Sequence, residues 1–235
     1  MPSPPFPKPL LANLVALIDT VLDSIDPDAY VYLNRNTVDA AYAGYVFGLV
    51  LRAVERVADV NTVKLKSAQG GPQQASPTTF VIRGSPGPIS STAQDFGFAS
   101  FQYKSTAYEI HLGVQFKGSS GVLHEFDVSI IPAADADECR KTNKPPGSAK
   151  ASALFECKCY SNSLGIELGR EFVGLKMDFT SVPMARLVTN SASDSVALFL
   201  KKNNRPRASF RLAPDNPAME KEFVYAVADE LRNTL

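Results

Sequence analysis

Two short stretches decide how this chain is read: Leu123-His-Glu-Phe-Asp-Val-Ser-Ile-Ile131 and Leu154-Phe-Glu-Cys-Lys-Cys-Tyr160. Both alternate in polarity, and alternate residues of a strand share a face. On the first, Glu125, Asp127 and Ser129 are expected to point one way and Phe126, Val128 and Ile130 the other. On the second, Glu156 and Lys158 point together, opposite Phe155, Cys157 and Cys159. If the two strands are neighbours, Asp127, Glu156 and Lys158 converge. Charges are rarely placed on central strands without partners, because an unpaired buried charge is costly. A hard divalent cation satisfies two carboxylates at once, and oxygen ligands favour Mg2+ or Mn2+. A lysine beside them can stabilise a charged phosphorane or position an attacking water. The same pattern also fits a structural ion-pair network near a sheet edge.

Working outward, Tyr108–Phe116 and Val122–Ile131 flank Gly118-Ser119-Ser120-Gly121, which reads as a hairpin turn. Upstream, strands are expected over 60–65, 80–83 and 98–103, the first two separated by the loop QGGPQQASP. Residues 132–151 read as an exposed polar loop with a Pro145-Pro146-Gly147 breaker. Downstream, helices are expected over 166–179 and 193–202, with strands over 185–189 and 208–212. Asn216-Pro217 supplies a cap and first-turn proline for a last helix, about 216–232. At the other end, residues 1–9 form a proline-rich arm. Leu10, Leu14, Leu17, Val21 and Ile25 mark a first helix, and a second covers about 38–58. On that second helix Arg52, Glu55, Arg56 and Asp59 form a polar stripe. The order predicts a mixed α/β (α+β) domain over residues 1–235, a central mixed sheet flanked by helices.

Bulk properties agree with one ordinary domain. The chain has 235 residues, 45% of them hydrophobic, enough for a full core without disulfides or structural metal. Lys plus Arg equals Asp plus Glu at 24 each, so no global basic charge points to a non-specific nucleic-acid coat protein. No run of about 18 apolar residues predicts a membrane span. The MPSPPFPKP start lacks the pattern of a secretory signal. Three cysteines, an odd number, predict a reducing, cytoplasmic setting.

The pattern Asp127, then Glu156-Cys157-Lys158 on the next core strand, then a helix, resembles the D…(D/E)XK signature of the PD-(D/E)XK nuclease superfamily. That superfamily includes restriction enzymes, Holliday-junction resolvases and repair nucleases, and the Glu-Cys-Lys variant looks like its Mrr-type and resolvase-type branches. The resemblance covers about residues 38–190, with the motif itself over 125–171. It implies a restriction-endonuclease-like αβββαβ core, about 38–213, with an N-terminal helical extension. It also implies Mg2+ (or Mn2+) held by Asp127, Glu156 and the Cys157 carbonyl, with Lys158 assisting hydrolysis of phosphodiesters, DNA first. The spacing of 156 − 127 = 29 residues is longer than a tight hairpin needs, and no clear proline-aspartate pair is present. Other readings stay open: an inert nuclease-fold module for nucleic-acid binding or assembly, or a nuclease directed at RNA or used in defence. A homodimer is neither required nor excluded.

Further candidates follow the motif. Glu125 shares the expected face of Asp127 and suits a metal or supporting ligand. Arg170 and Glu171 lie on the helix after the motif, where superfamily members often place a functional polar residue, and Glu55 is the candidate for a helix-borne acidic ligand. Each also reads as a solvated surface residue. Tyr160 fits either a substrate contact or the core. Cys157 and Cys159 read as buried hydrophobes rather than zinc ligands, and His111 and His124 lack a triad arrangement. Lys201, Lys202, Arg205, Arg207 and Arg211, and Arg140, Lys141 and Lys144, are basic runs that suit phosphate contact or plain surface.

Overall fold

The computed structural model describes residues 11–35, 37–69, 79–202 and 207–235. The proline-rich arm, most of the QGGPQQASP loop and Arg205 lie outside the described residues. In chain order the elements are α1 (Leu11–Ile25), β1 (Tyr30–Leu33), α2 (Val38–Glu55), β2 (Lys64–Ser67), β3 (Thr79–Ile82), β4 (Gly97–Tyr103), β5 (Thr106–Lys117) and β6 (Leu123–Pro132). There follow α3 (Ala133–Thr142), a 3-10 turn (Ser148–Lys150), β7 (Ala153–Lys158), α4 (Ile166–Asp178), β8 (Met184–Thr189), α5 (Asp194–Lys202), β9 (Arg207–Ser209) and α6 (Pro217–Thr234).

The main sheet has seven strands in the order β2-β4-β5-β6-β7-β8-β9. It is antiparallel from β2 to β7 and parallel from β7 to β9. Short turns join β4 to β5 and β5 to β6, whereas the parallel β7–β8 pair needs a crossover, which α4 provides. The fold is therefore a mixed α+β domain with a central mixed sheet flanked by helices. A separate parallel pair, β1–β3, stands beside it.

Helices cover both faces. One face packs Leu112, Val128, Ile130, Phe155, Met184 and Val188 against α2, which is itself covered by α1 and α6. On the other, Leu154, Ile131 and Phe126 meet α3 and Phe179, while Ala185 and Leu187 meet α4 and α5. Because α2 lies inside this stack, its residues from Ala41 to Leu51 are all buried, and only its last turn keeps the expected polar stripe. A helix apolar on every side is the pattern of a fully enclosed one.

Several expectations need correction. The polar stretch after β6 is not an exposed loop: residues 133–142 form α3. Its Ala-Ala-Asp-Ala-Asp-Glu start favours helix, Asp135 lies in the first turn and Arg140 and Lys141 in the last, and Asn143 closes it in the left-handed conformation (φ 52). Ala136 and Cys139 pack it on the sheet, and Arg140 adds a polar tie, donating to both oxygens of Glu109 on β5 at 2.8 and 2.7 Å. Strand β1 was not expected, and β2 starts at Lys64 rather than residue 60. The α6 cap is as read, with the Asn216 side chain accepting from the Met219 N–H. No helix of the described residues is long and apolar enough to cross a membrane.

Candidate active site

The site forms where β6 and β7 stop pairing. Their ladder ends at Val128↔Phe155. Beyond that rung the Cys157 N–H donates to Asp127 Oδ2 at 2.6 Å, so a carboxylate replaces the main-chain acceptor and sits in the gap. Strict alternation fails at this point. Val128 joins the α2 side of the core, yet Phe126, two residues earlier, packs on the opposite side with Phe116 and Phe179. The facing strand does the same, with Leu112 on one side and Val114 on the other. Between them lies Gly113, in the left-handed region at φ +56, which a side chain would strain.

The consequence corrects the expected single face. Ser129 is fully buried, whereas Glu125 and Asp127 line a cleft of about 550 Å3 that opens between the sheet and the start of α2. Lys158, Cys157 and Tyr160 line the same cleft. Glu156 instead lines a neighbouring cleft of about 410 Å3 under α4, together with Glu171, and both Glu125 and Lys158 border the two. The carboxylates of Asp127 and Glu156 thus approach the end of the ladder from adjoining clefts. Lys158 Nζ lies 2.6 Å from Glu156 Oε1.

The electrostatics are those of crowded carboxylates. Burial, then the charge of Glu156, pushes Asp127 up to about 7, against the pull of the Cys157 N–H and Lys158. Burial and Glu156 raise Glu125 as well. Burial alone would lower the Lys158 ammonium, but Glu156 and Asp127 outweigh it and hold it above the ordinary lysine range. Three carboxylates therefore share one ammonium. Past Lys158, the chain is fixed by a reciprocal pair in which the Tyr160 N–H donates to Asn190 Oδ1 and Asn190 Nδ2 donates to the Tyr160 carbonyl, each at 2.8 Å.

The remaining candidates separate. Glu171 faces the second cleft, while Arg170, one residue earlier, is exposed and lines neither cleft. Glu55 is excluded by distance. It lines a different cleft with Ser24 and Lys64, and 16 residues of helix separate it from Asp39, roughly 24 Å at 1.5 Å per residue. The acidic residue that α2 does bring to the site is Asp39, in its first turn. Glu55 drew notice through the charges around it, whereas Asp39 follows the Thr37 cap and carries no sequence sign of its role. The cation-bearing wall, Arg35 and Arg83, was also missed. Both come from segments outside the motif.

The basic runs are partly committed elsewhere. Arg140 is held by Glu109 and Asp137, and Arg207 by Glu230. Lys141, Lys144, Lys201 and Lys202 are exposed. His111 is bonded to Glu109 and His124 to Asp178, so both have structural partners. Among the described residues no three or more His, Cys, Asp or Glu side chains form a metal-holding group. What the site offers is smaller: the Asp127 and Glu156 carboxylates and the Cys157 carbonyl, all oxygen donors. That set suits Mg2+ or Mn2+, which retain waters and take substrate oxygens as further ligands. Comparison with family models, curated proteins and solved structures gave no match to this chain.

Proposed function

We propose that the protein is a metal-dependent nuclease of the PD-(D/E)XK type that hydrolyses phosphodiester bonds, most readily in DNA. The observation that carries this reading is the Asp127 carboxylate bound to the Cys157 N–H at the end of the β6–β7 ladder, beside Glu156 and Lys158. The order of elements around it supports the same reading: α2, the β5–β6–β7 meander, then α4 and the parallel strand β8.

In this mechanism Asp127, Glu156 and the Cys157 carbonyl would hold Mg2+ or Mn2+, with Asp39 and Glu125 nearby. When bound, such an ion supplies Lewis acidity and a water of lowered pKa. The hydrogen bond from the Cys157 N–H holds the Asp127 carboxylate in place. Lys158, whose Nζ lies 2.6 Å from Glu156 Oε1, would stand beside the ion and face the charge that develops on the phosphoryl oxygens. Hydrolysis proceeds without a covalent enzyme intermediate. The α4 side, through Glu171, bounds the space next to Glu156.

The 2.6 Å Lys158–Glu156 contact favours a second reading, an inert nuclease-fold module in which the pair is structural. Cleavage of plasmid, single-stranded, branched and RNA substrates with Mg2+ or Mn2+, beside Lys158→Ala, separates the two. Metal-dependent cleavage by the wild type and none by the variant is expected. Binding without cleavage by the wild type leaves the inert module.

A further inference from the structure

The cleft beside Asp127 has a second wall that the motif does not account for. Arg35 follows β1 and Arg83 follows β3, and because these strands are parallel both arginines emerge at the same end. Both line the cleft that holds Glu125, Asp127 and Lys158. The two segments are in direct contact: a Cβ added at Gly84 would lie 2.7 Å from the Arg35 main-chain nitrogen, so only glycine lets them approach this closely.

Arg83 is buried, 8% exposed, yet it makes no ion pair among the described residues. Its one hydrogen bond among the described residues runs from Nη2 to the Pro88 carbonyl at 3.3 Å, and one face of the guanidinium lies on the Phe96 ring at 4.0 Å. Most of its donors therefore have no acceptor among the described residues, although Nε and Nη1 are not sealed from solvent. Arg186, buried to the same degree at 6%, shows how this fold treats a structural arginine: Glu230 meets it at 2.8 Å. A buried cation without a counter-ion is destabilising unless something else supplies the negative charge. The carboxylates of the same cleft do not. The Arg83 stem crosses over Gly113 with Glu125 Oε1 close by, but the guanidinium stacks on Phe96 and pairs with neither Glu125 nor Asp127. Arg35, exposed at the rim, likewise makes no ion pair among the described residues.

We infer that Arg83 and Arg35 form a phosphate subsite, holding a non-scissile phosphodiester of the substrate strand in the cleft that Asp127 lines. The inference rests on the nuclease reading for what the carboxylates of that cleft do. The cleft thus offers guanidinium donors for an anion as well as carboxylates that suit a cation. Arginine suits that anion, because its planar fork matches a phosphate in two-point contact.

The test is binding of a fluorescent single-stranded oligonucleotide in EDTA, so that no turnover intervenes, over a range of salt. The proteins are the wild type, Arg83→Gln, Arg35→Gln and Asp127→Asn. Each arginine variant is expected to bind about tenfold more weakly, equivalent to about 1.4 kcal/mol of binding free energy. The slope of log affinity against log salt should become shallower by about 0.7 for each phosphate the protein no longer neutralises, which a merely structural role would not change. Asp127→Asn should bind at least as tightly as wild type. Wild-type affinity and slope in both arginine variants overturn the subsite, even if the protein cleaves. Weakened binding in those variants, with no cleavage by the wild type, keeps the subsite and removes the nuclease reading. If Arg83→Gln does not fold, the exposed Arg35 position decides alone. Displacement by inorganic phosphate as effective as by unlabelled oligonucleotide would assign the pocket to a lone phosphate group and overturn the strand assignment.

Discussion

Gly113 and Asp127 stand opposite each other on β5 and β6, at the point where both strands transfer their side chains from one face of the sheet to the other. Leu112 and Val128 pair on one side of this point, Val114 and Phe126 on the other, and the two pairs belong to different halves of the core. The left-handed backbone of Gly113 makes the local coil available, and Asp127 is what the coil presents to the cleft.

Gly113→Ala should therefore damage stability and site together. A non-glycine residue in the left-handed region costs roughly 1–2 kcal/mol, and its Cβ would press on the Arg83 side chain at 3.2 Å. Urea unfolding should show a loss of that order, with cleavage reduced further than stability alone explains. A neutral result would mean that the strand coil does not depend on Gly113.

Lys158→Ala should lower cleavage by about 10²–10³, the usual effect of losing one preorganised electrostatic partner. Single-turnover rates with Mn2+ measure it. Unchanged oligonucleotide affinity is expected alongside, and a variant that cleaves at the wild-type rate removes Lys158 from the mechanism.

Asp127 predicts a pH-dependent stability. Its carboxyl is raised to about 7 in the folded protein from an ordinary value near 3.8. The folded state therefore holds this proton more tightly, and stability falls as pH rises from about 4 through 7. Asp127→Asn keeps an acceptor for the Cys157 N–H and removes the charge. In metal-free buffer its melting temperature should exceed that of wild type at pH 8, with the gain fading by pH 5. Mg2+ or Mn2+ should raise the wild-type value at pH 8 and leave the variant unmoved. Equal metal response in both proteins would place the ion elsewhere.

The buried pair Arg186–Glu230, shared with Arg207, should behave as structure alone. Glu230→Ala leaves Arg186 buried without its carboxylate and should cost roughly 3–5 kcal/mol. The double change Arg186→Met with Glu230→Leu should recover most of that loss, since the penalty lies in the stranded charge. Chemical denaturation of the wild type and both variants checks this.

Much of the fold was legible because its signals are local. The β5–β6 hairpin, α4 and the Asn216 cap of α6 each declare themselves within a dozen residues. Alternation singled out Asp127, Glu156 and Lys158, and the structure pairs Lys158 with Glu156 while Asp127 lines the adjoining cleft. What alternation could not show was its own interruption at Gly113, since a glycine in a strand pattern carries no sign of its φ. Helix α3 was missed because its buried face is only Ala136 and Cys139, too short an apolar stripe to stand out, with Arg140 and Glu109 adding a polar tie to the sheet. Arg35 and Arg83 come together through the β1–β3 pairing, a contact between segments nearly 50 residues apart (79 − 30 = 49), and Asp39 arrives with the start of α2. Glu55, conspicuous in its charged stripe, lies at the wrong end of the right helix.

At the far end of the β5–β6 hairpin, one carboxylate gathers the whole turn. Asp178, closing α4, accepts from the Ser119 hydroxyl, from both the N–H and hydroxyl of Ser120, and from His124. For protein engineering this reverses the obvious choice of insertion point. The Gly118–Gly121 turn has the small polar composition of a tolerant tip, but a tag or inserted domain there would tear α4 from its mooring and unsettle the roof over Glu156. The Lys104–Ser105 turn between β4 and β5 carries no such anchor among the described residues, apart from Lys104 resting on Tyr103. It is the better place to open the chain.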